Sequence, residues 1–74
     1  MQIDDVKTEI QKAIPNATVD GRFEGNHVHL QIVSTEFDGL SAVKRQQLVY
    51  AALQDAISSG AIHAVHMQTL TPDE

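Results

Sequence analysis

The sequence predicts one small α/β domain of the α+β type, residues 1–74, with a three-stranded mixed sheet and helices packed against it in the order α-β-β-α-β. Three observations predict this fold: an initial segment with helical periodicity, two strand-like segments separated by two residues, and a long helical segment before a third strand. A chain of this length buries about 60% of the surface that it exposes when unfolded, so it has room for one core.

The first segment has the pattern of an amphipathic helix. Apolar residues recur at steps of three and four from Ile3 to Ile14, while charged and amide side chains fill the other face. Asp4 and Asp5 lie near the start, where negative charge suits the helix dipole. Pro15 ends the helix, because the residue before a proline is biased away from helical geometry.

The next segment indicates a β-hairpin over residues 18–34. Apolar and polar residues alternate from Thr18 to Glu24, and the alternation resumes at His27. Gly25 and Asn26 between the two strands form a suitable two-residue hairpin connection.

A second helix and a third strand complete the fold. The helix opens near Ser41, which suits the N-cap position, and runs about five turns to Ser58-Ser59-Gly60. Its apolar stripe consists of Val49, Ala52, Leu53, Ala56 and Ile57. Ile62 to Leu70 has apolar residues on both faces, with Ile62 and Ala64 on one and Val65 and Met67 on the other, which predicts a well-covered strand. A helical connection of this length favours a parallel, right-handed crossover.

Parallel pairing has a consequence for the histidines. His27 begins the second strand and His63 begins the third, so both are expected at one end of the sheet beside the Glu24 to Asn26 turn. Since the chain has four histidines, metal binding is the first functional hypothesis. A three-histidine zinc site is awkward to assemble, because His27 and His29 share a face while His63 and His66 project to opposite faces.

The composition and the missing motifs exclude several function classes. Without cysteine, the chain has no disulfide framework, zinc ribbon, thiol nucleophile or iron-sulfur cluster held by its own thiolates. No nucleophilic triad, Gly-x-Gly-x-x-Gly loop or Gly-Lys-Ser phosphate cradle is present, so we expect no enzyme and no small-molecule substrate. Glu24, Glu36 and Asp38 are expected to be exposed charges rather than acid-base catalysts. With neither a leader pattern nor a membrane-length apolar run, the expected location is the cytoplasm.

A nucleic-acid site is the competing hypothesis. Lys44 and Arg45, near the start of the second helix, can contact phosphate, although the net charge of −5 argues against binding by bulk charge. Two cations imply weak and salt-sensitive binding. Tyr50 and Phe37 can stack on a base, but apolar packing against the sheet is the favoured use of each.

Three motifs carry a resemblance to a known family. The string from Phe37 to Tyr50, the tetrapeptide Ile62-His63-Ala64-Val65 and the dipeptide Thr71-Pro72 together resemble the BolA family, and Lys44 to Gln47 resembles its IbaG (YrbA) branch. The match covers nearly the whole chain. The resemblance implies a fold similar to a class II KH domain.

The resemblance also implies a function in iron-sulfur cluster trafficking, iron homeostasis and stress response. BolA-like proteins are adaptors that bind monothiol glutaredoxins and share a bridging [2Fe-2S] cluster, with glutathione and a glutaredoxin cysteine supplying sulfur. His63 matches the family's C-terminal histidine ligand. The second ligand comes from the loop between the first two strands, and His27, Glu24 or no residue of this chain remain the alternatives. The isolated chain is expected to hold no cofactor.

The resemblance leaves two further functions open. Family members are also described as transcription regulators, which favours Lys44, Arg45 and the turn at Gly39 as a weak DNA site. Many relatives carry Arg-His where this chain has Arg45-Gln46, which argues against that function. The third alternative is a scaffold that docks protein partners without metal.

Overall fold

Three strands form one sheet in the spatial order β1-β2-β3. The computed structural model covers residues 1–74, and its elements are α1 (Ile3–Ala13), β1 (Thr18–Glu24), β2 (His27–Val33), a 3-10 turn (Thr35–Phe37), α2 (Ala42–Ala52), α3 (Gln54–Ser58) and β3 (Ala64–Leu70). β1 pairs antiparallel with β2, and β2 pairs parallel with β3. This arrangement confirms the predicted α+β domain with a mixed sheet.

The hairpin has the register that the alternation pattern predicts. Thr18 pairs with Val33 at one end and Glu24 pairs with His27 at the other, so only two residues connect the strands. Gly25 has a φ of 62°, a backbone conformation that glycine adopts without strain. The central position of β2 follows from this hairpin together with the parallel pairing to β3.

The second helix begins as predicted, but it is not continuous. The Ser41 hydroxyl accepts a hydrogen bond from the Lys44 N–H at 3.3 Å, which confirms Ser41 as the N-cap. The predicted five-turn helix is interrupted at Leu53, whose N–H donates to the carbonyls of both Val49 and Tyr50. This shared hydrogen bond tightens the last turn of α2. Leu53 is 1% exposed, so the helix is interrupted at a residue buried in the core.

The third strand corrects two expectations. β3 begins at Ala64 rather than at Ile62, because the Ile62 N–H bonds to the Ala56 carbonyl at 3.1 Å and its side chain is buried beside α3. β3 is an edge strand whose residues are of intermediate burial or exposed and none is fully buried, so it is less covered than the predicted well-covered strand. Val65 and Met67 still pack against the core.

The helices cover one face of the sheet and leave the other open. α1 contacts β1 and α2, and α2 contacts β3. The core consists of Val6, Ile10, Ile14, Val19, Val28, Leu30, Ile32, Phe37, Val49, Leu53, Ala56 and Ile62. We call the opposite side the open face; its residues on the three strands include Asp20, Arg22, Glu24, His27, His29, Gln31, His66 and Gln68. No helix of the structure has both the length and the apolar character needed to cross a membrane.

Candidate functional site

His63 lies at the end of the sheet that carries the hairpin turn. Its N–H donates to the carbonyl of Asn26 at 2.7 Å, which fixes its backbone against the turn. The residue before it, Ile62, is 1% exposed, and the residue after it, Ala64, begins β3. His63 itself is exposed. A buried anchor and a strand therefore hold an exposed imidazole at the rim of the sheet.

His27 lies at the same end. It is the first residue of β2, directly after Asn26, and it pairs with Ala64 in the parallel register. The expected placement of His27 and His63 beside the turn is therefore present in the structure. His27 is exposed and belongs to the open face.

Three histidine rings form a group that the sequence did not predict. We call His27, His29 and His66 the histidine stack. The rings of His29 and His66 are nearly parallel, 10° apart with centroids 4.5 Å apart, and those of His27 and His66 are 17° and 5.5 Å apart. Nδ1 of His27 lies 3.3 Å from Nε2 of His66. His66 therefore lies beside both histidines of β2.

To predict the histidine stack, one would need the exact register between β2 and β3. The sequence alone does not provide that register. A register that paired His63 with His27 would pair His66 with Leu30 and leave it without a histidine partner. Because pairing starts at Ala64 instead, His29 pairs directly with His66. Just before β3, the Ile62 N–H bonds to the Ala56 carbonyl of α3, a tertiary contact that the sequence pattern does not show.

Glu24 is the other candidate for the second ligand, and both of its carboxylate oxygens face nitrogen atoms. Oε1 accepts from Nη2 of Arg22 at 2.7 Å, and Oε2 lies 3.7 Å from Nε2 of His29. A metal ion would have to compete with these contacts. His27 has only its Nδ1 engaged, so the geometry favours His27 over Glu24 as a metal ligand.

The donor set fits a metal group that is shared with another chain. No group of three or more His, Asp or Glu side chains is arranged to hold a metal ion. The rim offers the imidazoles of His63 and His27 but no thiolate. Histidine replaces cysteine on one iron of Rieske [2Fe-2S] centres, so two imidazoles suit half of such a cluster. A [2Fe-2S] cluster at this rim would need its other ligands from outside this chain.

Enclosed space is absent at this rim. The two cavities of the surface have volumes of about 190 and 300 Å³, and neither is lined by His63 or His27. The candidate carboxylates Glu24, Glu36 and Asp38 are all exposed, as expected. The rim histidines and these carboxylates therefore lie on the open surface and not in a cavity.

The residues of the competing nucleic-acid hypothesis do not form a cationic patch. Lys44 and Gly39 are exposed, and Gly39 has a φ of 76°. The guanidinium of Arg45 is instead bound to the Leu40 and Thr69 carbonyls and to the carboxylate of Glu74. Only Lys44 of the pair is left to contact phosphate.

The two aromatic candidates differ in their surroundings. Phe37 is 0% exposed and belongs to the core, which confirms apolar packing. The Arg45 guanidinium lies 5.9 Å from the centre of its ring. Tyr50 is 43% exposed, so its expected packing against the sheet is wrong: its position on α2 faces solvent.

Comparison with known proteins identifies the family. The family model described as BolA-like protein matches residues 2–74. The acid stress protein IbaG of Escherichia coli strain K12 is 34% identical over 74 residues, which covers 100% of this chain and 88% of IbaG. This similarity agrees with the resemblance to the IbaG branch.

Solved structures agree in fold. A bolA protein homologue from Coxiella burnetii superposes with a TM-score of 0.85 at 31% identity, covering 99% of this chain and 94% of that one. The BolA domain of SufE1 from Arabidopsis thaliana has a TM-score of 0.85 at 29% identity, covering 95% of this chain and 91% of that one. The motifs, the fold and these similarities show that the chain belongs to the BolA-like protein family.

Proposed function

We propose that this protein is a non-enzymatic adaptor of the cytoplasm that binds a monothiol glutaredoxin and offers His63 and His27 to a bridging [2Fe-2S] cluster. Membership of the BolA-like family, with relatives named acid stress protein IbaG and BolA domain of SufE1, is consistent with roles in stress response and iron-sulfur metabolism. The proposed role is the trafficking of clusters in iron homeostasis.

The observation that carries the proposal is the exposed imidazole of His63 at a rim that His27 shares. Ile62 and the Asn26 carbonyl hold the backbone of His63, so its side chain can reach outward without moving the sheet. Preorganised ligands lose little conformational freedom when a metal binds. An exposed rim also suits a cluster whose other half belongs to a second protein.

The chemistry of the donors makes the partner obligatory. A [2Fe-2S] cluster takes four ligand atoms from its surroundings, and this chain has no thiolate to give. In the proposed complex, the glutaredoxin cysteine and glutathione supply sulfur while His63 and His27 supply nitrogen. When bound, the cluster supplies iron and sulfide that can pass to a recipient protein.

A spectroscopic titration tests this function. Increasing amounts of the protein are added to a glutaredoxin that holds a [2Fe-2S] cluster, and visible absorption and circular dichroism are recorded. We expect the parent chain to change the cluster spectrum, because nitrogen replaces sulfur on one iron. His63→Ala should remove this change, and His27→Ala should produce a third, distinct spectrum.

Gln31→Ala is the matched control, because Gln31 is exposed on the same strand and the same open face as His27. It should behave like the parent. A parent chain that leaves the glutaredoxin spectrum unchanged would contradict the proposed function. If only His63→Ala behaved like the parent, the partnership would stand and the assignment of this ligand would be wrong.

The nucleic-acid function receives little support from the structure. The net charge is −5, and Arg45 is bound to Glu74, so Lys44 alone of the predicted pair faces solvent. A single phosphate contact gives weak binding that is lost as the salt concentration rises. DNA titrations at low and moderate salt, with Lys44→Glu as the variant, test this alternative. Binding that survives moderate salt and disappears in Lys44→Glu would favour it.

A further inference from the structure

The contact between His27 and His66 defines which nitrogen of His27 is free. Nδ1 of His27 lies 3.3 Å from Nε2 of His66, which is a hydrogen-bond distance. A neutral imidazole has one N–H donor and one lone pair, so one of the two rings donates and the other accepts. The two possible directions of this hydrogen bond place the proton of His27 on different ring nitrogens.

The direction of the hydrogen bond decides whether His27 can bind iron through Nε2. If His66 donated, the proton of His27 would lie on Nε2, and neither nitrogen of His27 would have a free lone pair. If His27 donates from Nδ1, its Nε2 carries the lone pair that a metal needs. Histidines that bind metals almost always donate their other N–H to a second group, which fixes the tautomer and the ring orientation.

The stack holds His66 in place for this contact. The ring of His66 lies 4.5 Å from that of His29 and nearly parallel to it. His29 is also partly fixed, because its Nε2 lies 3.7 Å from the Glu24 carboxylate and Glu24 accepts from Arg22. The neighbouring ring of His29 therefore restricts rotation of the His66 ring.

We propose that His66 is a positioning residue: it accepts a hydrogen bond from Nδ1 of His27 and thereby selects the tautomer whose Nε2 is free for iron. The inference rests on the proposed function, since it assigns His66 a role toward the same cluster. His66 is not itself a ligand in this arrangement, because its Nε2 accepts from His27 and its proton then lies on Nδ1, so neither nitrogen has a free lone pair.

The first test needs no cluster. Two-dimensional proton-nitrogen NMR of the nitrogen-15-labelled protein, recorded at a pH where imidazoles are neutral, reports which ring nitrogen of each histidine carries the proton. We expect His27 to carry it on Nδ1, against the Nε2 preference of free histidine. His66→Phe keeps a flat ring beside His29 but has no acceptor, so His27 should revert to Nε2–H.

Two further variants complete the set. His66→Gln retains an acceptor oxygen on a longer side chain and should retain the Nδ1–H form at least in part. Gln68→Ala, an exposed open-face change on the same strand, should leave His27 as in the parent. A parent in which His27 carries its proton on Nε2, or a His66→Phe variant that keeps Nδ1–H, would overturn the proposal.

The second test uses the glutaredoxin holoprotein. His66→Phe should weaken cluster-dependent association by about 10-fold to 100-fold, the usual effect of removing a group that orients a metal ligand. His66→Gln should recover part of this loss. If the parent does not alter the cluster at all, the proposed function fails whatever the NMR result. If the parent alters the cluster but His66→Phe binds equally well, only the role of His66 is wrong.

Discussion

Arg45 donates to the carboxylate of Glu74 at 2.6 Å, across 29 residues of sequence, and joins the start of α2 to the segment that follows β3. Its Nε donates to the Leu40 carbonyl at 3.0 Å and its Nη1 to the Thr69 carbonyl at 3.1 Å. The Arg45 side chain is 13% exposed. One guanidinium thus joins the loop before α2, the end of β3 and the residues after it.

Removal of this guanidinium should destabilise the fold. Arg45→Ala leaves the Leu40 and Thr69 carbonyls without their charged donor, so we expect a loss of about 2 kcal/mol in the free energy of unfolding. Urea denaturation followed by far-ultraviolet circular dichroism measures it. Lys44→Ala, at an exposed neighbouring position, should change stability by less than about 0.5 kcal/mol. Equal effects of the two substitutions would contradict the structural role of Arg45.

The contact also predicts a pH dependence. The hydrogen bond from Arg45 holds the pKa of the Glu74 carboxyl below its ordinary value of 4.5, and the Thr71 N–H lowers the pKa further. Because the pKa is lower in the folded state, the stabilisation is fully present above the ordinary value and is lost as pH falls through the folded value. The stability difference between the parent and Glu74→Gln should therefore shrink as the pH falls from the ordinary pKa of the carboxyl through its lowered value in the folded state.

Urea unfolding of both chains at neutral, mildly acidic and strongly acidic pH tests this dependence. The comparison between variants removes the contributions of the other carboxylates, which are common to both chains. A difference that stays constant across the series, or grows with acid, would show that Glu74 does not contribute in this way.

Ser34 joins two segments that are distant in sequence. Its hydroxyl donates to the Pro15 carbonyl at 3.0 Å and accepts from the Glu36 N–H at 3.1 Å, and the residue is 1% exposed. Ser34→Ala should lower the free energy of unfolding by about 1–3 kcal/mol, because buried polar groups then lack partners. Ser58→Ala, at an exposed position, is the control and should be nearly neutral. Chemical denaturation of both variants checks the prediction, which a neutral Ser34→Ala would contradict.

Gly21 is required by the close approach of β1 to β2. A Cβ at this position would lie 2.5 Å from the His29 carbonyl oxygen and 2.7 Å from Cδ2 of Leu30. Since the first of these atoms belongs to the backbone, the strands must separate, and Gly21→Ala should cost about 1–3 kcal/mol. Gly25→Asn is the matched control, because asparagine tolerates the positive φ of that turn. Thermal unfolding that ranks Gly25→Asn below Gly21→Ala would contradict this explanation.

Local patterns predict most of the fold. The periodicity from Ile3 to Ile14, the hairpin signal of Gly25-Asn26 and the cap at Ser41 each depend on neighbours in sequence, and the structure contains all three features. The break at Leu53 has no such signal, because Leu53 lies within the predicted apolar stripe and no glycine or proline is near it.

The candidate site likewise has features that local sequence patterns predict and features that depend on tertiary structure. The placement of His27 and His63 at one rim follows from parallel pairing, which the length of the connecting helix implies. His66 lies beside His27 only through the exact register of β3, which no local sequence pattern determines. The sequence predicts a solvent-exposed cation at Arg45, because no local pattern indicates that its guanidinium binds the carbonyls of Leu40 and Thr69.

Because buried and exposed residues alternate along β2, the side chains on its open face can be replaced without changing the core. His27 and His29 occupy positions whose immediate neighbours, Val28 and Leu30, point into the core, so a mutation at either histidine leaves the hydrophobic contacts intact. Single substitutions on the open face can therefore change which metal-binding or polar groups the protein presents, while the buried residues of the same strand preserve the fold.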